Sequence, residues 1–140
     1  LFDELREKHR FTNAKAARPR SWYHFTSGAG RFQYGMSFAA SGELRSELYI
    51  DFDKHSKNEL AFDALYAEKD VIEKEFGEPL RWERLDNRRA CRVGCYTVGS
   101  IEDPVESHEQ YRNWAIDRLL RFKRVFGPRL PALAKRVQEA

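Results

Sequence analysis

Residues Arg31 to Asp51, RFQYGMSFAASGELRSELYID, decide the fold of this 140-residue chain. Phe32, Tyr34, Met36 and Phe38 alternate with Arg31, Gln33, Gly35 and Ser37, the period-two signature of a strand with one buried face. After a turn at Ala40-Ser41-Gly42, Leu44, Ser46, Leu48 and Ile50 alternate with Glu43, Arg45, Glu47, Tyr49 and Asp51. The pattern predicts a β-hairpin with one apolar face and one face carrying charges of both signs.

Upstream, the aromatic-rich segment Ser21–Thr26 (SWYHFT) reads as a strand, joined to the hairpin through Ser27-Gly28-Ala29-Gly30. Three strands with short links make an antiparallel meander. Leu1 to about Phe11 reads as the tail of a helix, and Thr12 to Pro19 as a loop. Downstream, Ser56 with Glu59 has capping-box spacing, and Ala61, Leu65, Ile72 and Phe76 fall on one helical face up to Gly77. Leu80–Leu85, holding Trp82, and Ala90–Val98 read as two more strands around a turn at Asp86–Arg89. A long helix follows from about Glu106 to Phe126, with Tyr111, Ala115, Leu119, Phe122 and Phe126 on its apolar side. Gly127-Pro128 signals a stop, and a short helix spans Pro131–Val137. The order α-β-β-β-α-β-β-α-α predicts an α+β fold of two layers. A five-stranded, mainly antiparallel sheet should carry helices on the face lined by Phe32, Tyr34, Phe38, Leu48 and Ile50. One domain over residues 1–140 is expected, with 1–18 as connecting helix and loop and 19–133 as the core.

Composition narrows the function classes. Charged residues make up 34% of the chain, against about 25% in an average domain. No apolar run approaches the roughly 20 residues of a membrane span, and no signal-peptide pattern opens the chain. A cytoplasmic protein without membrane contact is expected. The only methionine is Met36 and the first residue is Leu1, which suggests a fragment of a longer protein. A net charge of +3 and a pI of about 8.9 permit nucleic-acid contact without marking a basic domain. Cys91 and Cys95 share strand parity but lie roughly 13 Å apart at about 3.3 Å per residue, too far to bridge, so they read as buried free thiols.

Catalytic chemistry finds little footing. Glu47, Asp51, Asp53 and His55 share strand parity, and the three carboxylates are weak candidates for a divalent cation. The element order also matches the core of PD-(D/E)XK nucleases, where a strand carries an acid-x-Lys pair. Phe52 stands where Lys54 would need its acid, so that match fails. Cys91-x3-Cys95 with scattered His24, His55 and His108 lacks zinc spacing, and the Gly28-Ala29-Gly30 turn precedes no helix that could bind phosphate. No catalytic residue and no cofactor are assigned.

The polar sheet face is the better candidate. Arg31, Gln33, Ser37, Arg45, Glu47 and Tyr49 should share it, joined by Trp22, His24, Arg81, Glu83 and Arg92. Arginines beside aromatics on a sheet pair with phosphates and stack on bases, which nominates Arg31, Gln33, Arg45, Tyr49 and Arg92. The bland alternative is a solvated face of cross-strand Arg–Glu pairs, and the interleaved Glu43, Glu47 and Glu83 suit it. A second basic patch, Arg118, Arg121, Lys123, Arg124 and Arg129, also fits simple complementarity to a helix C-terminus.

Five phrases carry a family resemblance: SWYHF (21–25), LRSELYID (44–51), LAFDALYAEKDVIEKEFGEPLRWERLD (60–86), RRACRVGCY (88–96) and NWAIDRLLRFKRVFGPRL (113–130). Together, over roughly Pro19 to Leu133, they resemble a bacterial domain-of-unknown-function family, the one numbered 4268. The resemblance implies a C-terminal accessory module of larger proteins whose N-terminal part looks like a PD-(D/E)XK nuclease, in a phage-defence or restriction-like setting. It supplies no catalytic residues. The expectation is a non-catalytic module assisting nucleic-acid engagement or assembly. Its partners would be DNA, a second copy as a homodimer, or the N-terminal part of the same polypeptide. A pure interaction module and a divergent metal-dependent hydrolase using Glu47, Asp51 and Asp53 are the alternatives.

Overall fold

The computed structural model describes residues 22–39, 42–100 and 103–140. Strands β1 (Trp22–Thr26), β2 (Phe32–Ala39), β3 (Glu43–Ile50), β4 (Arg81–Glu83) and β5 (Cys91–Val98) form one sheet in the order β1-β2-β3-β5-β4. Every neighbouring pair is antiparallel. The hairpin register runs from Phe32 opposite Ile50 to Ala39 opposite Glu43, so the alternation read from the sequence sorts onto two faces. Gly30 illustrates why the β1–β2 turn is glycine-rich. Its φ is +55°, and an added Cβ would lie 2.9 Å from the Cβ of Ala134.

Helices α1 (His55–Tyr66), α2 (Lys69–Phe76), α3 (Val105–Phe126) and α4 (Leu130–Gln138) contribute to one core with the inward face of the sheet. Phe32, Leu44, Leu48 and Ile50 meet Leu65, Ile72, Phe76, Leu119 and Phe122 there. Phe122 holds the helical layer together, edge-on to Phe76 at 4.9 Å and stacked on Phe126 at 5.6 Å. The fold is α+β with the helices on the expected face. Among the described residues no helix is long and apolar enough to cross a membrane.

Several local expectations are corrected. The helix expected over 56–76 is two helices, because Glu68 N–H bonds back to Leu65 O in a tighter turn. The bend lets α1 pack on α4 while α2 packs on α3. Ser56 is not a cap: α1 starts at His55 after extended Lys54, and no side chain caps it. Asn58 secures this corner instead. Fully buried, it accepts from Phe52 N–H at 2.6 Å and donates to Phe52 O at 3.2 Å and Arg89 O at 2.8 Å.

The strand expected over 80–85 shrinks to three residues. Pro79 has no N–H, the Leu80 N–H donates to the Glu73 carboxylate, and Leu85 adopts φ +52°. The long helix does end at Phe126, as Gly127-Pro128 signalled; Gly127 stays right-handed, and a 3₁₀ turn over Gly127–Arg129 leads straight into α4. A proline is tolerated where the first N–H groups of a helix need no partner. The helix expected over 1–11, the loop over 12–19 and the hairpin residues Ala40 and Ser41 lie outside the described residues.

Candidate functional site

The register arranges the polar face in rows. Thr26, Gln33, Tyr49, Arg92 and Glu83 form one, His24, Gly35, Glu47, Gly94 and Arg81 the next, and Ser37, Arg45 and Tyr96 share the third. Glu47 is the centre, with a glycine on each neighbouring strand. It is 2% exposed. Its carboxylate lies 3.5 Å from His24 Nε2, 3.8 Å from Arg45 Nε and 3.6 Å from Arg92 Nη1. Those are ion-pair distances, and Oε2 makes no hydrogen bond among the described residues.

A polar lattice extends outward from that carboxylate. Arg45 donates to Ser37 Oγ at 2.8 and 3.1 Å. Arg92 donates to Glu83 at 2.6 Å, and the Tyr96 hydroxyl donates to the same carboxylate at 2.8 Å. Arg81 reaches across the Tyr96 ring, 3.9 Å from its centroid, to a two-pronged contact with Glu43. Burial first, opposed by the bond to Arg45 and reinforced by that to Glu83, pushes the Tyr96 hydroxyl above its ordinary range. Tyr49 is also pushed up, by burial and then by Asp51 and Glu47, and its ring stacks on His24 at 5.2 Å. Both phenols therefore stay protonated at neutral pH.

Of the nominated residues, Gln33, Arg45, Tyr49 and Arg92 sit together on this face, with Arg45 and Arg92 each held by internal partners. Arg31 lies just before β2 at the end of the sheet, with its side chain 60% exposed, and donates to Asp51 O at 3.0 Å. Asp51 is held by Arg89 at 2.5 Å, and Asp53 is exposed beside Lys57. The three carboxylates Glu47, Asp51 and Asp53 thus have separate partners. Among the described residues no three His, Cys, Asp or Glu side chains converge as a metal site would require. The second basic patch is partly structural: Arg121 and Arg124 donate to Phe76 O and Glu75 O at the C-terminus of α2, and Arg129 binds Glu75.

Sequence reasoning missed the groove beside β5, a cavity of about 410 Å³ lined by Glu78–Arg81, Gly94–Thr97, Trp114 and Arg118. Here the Cys95 thiol donates to Glu78 at 2.7 Å and Arg118 binds the same carboxylate at 2.9 Å. Burial pushes Cys95 up to about 12 and Cys91 up to about 11, so neither is a thiolate nucleophile at neutral pH. Burial alone would raise Glu78 too, but its hydrogen bonds from Arg118 and Cys95 outweigh that and hold it below the usual range. The spacing of Glu78 from Cys95 follows no motif, so the sequence carried no signal for the contact.

The described elements define a two-layer α+β domain with a paired Arg–Glu lattice on its second sheet face. The model of the family described as Domain of unknown function (DUF4268) matches residues 1–130, and the chain belongs to that family. No curated protein and no solved structure matches it.

Proposed function

We propose that this domain is a non-catalytic accessory module of a nuclease-like bacterial protein, in a phage-defence or restriction-like setting, and that the polar sheet face serves assembly. The observation that carries this is the matched lattice: Arg45, Arg81 and Arg92 are each held by Glu43, Glu47 or Glu83. Arginines held in this way are pre-ordered, and a neutral patterned surface suits a protein partner better than a phosphate backbone. The test is a docking measurement with the nuclease-like part of such a protein, by calorimetry. Affinity that drops with Glu47→Ala supports the assignment, and unchanged affinity removes it.

Nucleic-acid engagement is the second reading. The His24–Tyr49 stack beside Arg45 and Arg92 favours it, as does the surplus positive charge of Arg31 and Arg89 around Asp51. Binding of labelled single- and double-stranded DNA and RNA at two salt concentrations decides it. Micromolar affinity that falls steeply with salt marks phosphate contact. Arg31→Ala and Arg45→Ala together should then weaken binding and flatten the salt slope. No binding at low salt leaves the assembly reading.

A further inference from the structure

The ion pairs of the polar sheet face are layered. Arg31 and Arg89 expose 60% and 57% of their side chains above Asp51, which exposes 19%. Arg81 exposes 52% above Glu43 at 25%. His24 and Arg45 likewise lie outside Glu47, which is almost fully hidden. Among the described pairs of this face, only that of Arg92 with Glu83 runs the other way. In the helical layer the order is reversed. Arg129 exposes 20% beneath Glu68 at 54%, and Arg118 and Arg121 lie deeper than the Asp117 that both hold. The sheet face is therefore nearly neutral in sum but presents its cations first, and the charge met at shorter range dominates. The described helices pack on the apolar side of the sheet, so no described helix covers this outer layer.

From this layering we infer that the partner docking on the polar sheet face is an acidic protein segment, whose carboxylates meet the outer edges of Arg31, Arg89 and Arg81. The inference rests on the assembly reading of the same face and names the chemistry of its partner. Arg31 donates from Nε to Asp51 O and holds Nη2 at 4.0 Å from the Asp51 carboxylate. Arg89 donates to that carboxylate from Nε and Nη2. Neither donates to it from Nη1, and a guanidinium carries five N–H donors. A second carboxylate can therefore bind each head without displacing Asp51. Discrete carboxylates can also be spaced to avoid the recessed acids. Duplex DNA, with one charge per about 1.7 Å of its axis, would press on Glu43, Asp51 and Glu83 as well. Charge complementarity of this kind sets partner choice and docking register.

Fluorescence anisotropy of the 140-residue chain with a labelled oligoglutamate peptide should show binding that weakens as salt rises, because exposed charges are screened. Arg31→Ala, Arg81→Ala and Arg89→Ala combined should weaken it by about tenfold. Asp51→Asn should tighten it by about threefold, a gain that a folding defect could not produce. Lys123→Ala with Arg136→Ala, which removes two exposed cations of the helical layer, should leave the affinity unchanged. Absence of binding at low salt, an Asp51→Asn variant that binds no tighter, or an equal loss from the helical-layer pair would each overturn the inference. Labelled duplex DNA binding more tightly than the peptide at equal salt would also overturn it, in favour of nucleic-acid engagement. If the peptide fails to bind while docking still depends on Glu47, the acidic partner is removed and the assembly reading stands.

Discussion

On β3, Glu47 and Leu48 are adjacent and almost equally hidden, 2% and 0% exposed, yet they point to opposite faces and are held by different physics. Leu48 joins a continuous apolar core with Phe32, Ile72 and Phe122, where stabilisation follows apolar area and close packing. Glu47 sits beside His24 and between Arg45 and Arg92, where desolvation is unfavourable and the two guanidinium groups offset it. The contrast shows that burial alone does not make a core. One face tolerates change of shape poorly, while the other tolerates change of charge poorly.

The comparison breaks most visibly at Phe122. Phe122→Ala should lose about 3–5 kcal/mol in chemical denaturation, because it empties the contact with Phe76 and Phe126. Glu47→Ala should cost about 3 kcal/mol by leaving Arg45 and Arg92 short of a partner. A loss near zero there would mean that the polar lattice carries no stability. Asn58→Ala should cost about 2 kcal/mol, since it orphans the buried Phe52 N–H.

A smaller effect should appear with pH at Glu78. Its folded-state pKa is depressed, so its contribution is present above the ordinary value of 4.5 and is lost as pH falls through the lower folded value. Glu78→Gln should remove that part of the acid limb, read from urea midpoints across acid pH. Least of all should be Arg84→Ala. Its pairs with Glu59, Asp63 and Asp86 are partly exposed, and such surface networks contribute at most about 1 kcal/mol.

The strand pattern and most of the apolar face were legible because both follow short-range periodicity. Phe32, Leu48 and Ile50 were placed by alternation, and Leu65, Phe76 and Phe122 by helical spacing. Asn58 was not, because its partners include Arg89, 31 residues away, and nothing local distinguishes it from a solvated helical asparagine. The break after Tyr66 was equally hidden, since Ile72 and Phe76 continue the same face that Ala61 and Leu65 begin. Four of the five nominated residues, Gln33, Arg45, Tyr49 and Arg92, share one face while Arg31 lies before β2, but the pairing of Arg45 and Arg92 with Glu47 and Glu83 could not be read from composition.

By itself the sequence determined the five strands in their order along the chain, the two-faced hairpin and the membership of a family, because side-chain alternation and turn chemistry act within a few residues. Tertiary structure alone decided which carboxylate is buried, which arginines are already engaged and where the β4 ladder on β5 ends, at Gly94. Those outcomes depend on side chains far apart in the chain meeting across strands, where neighbours, not local pattern, set the electrostatics.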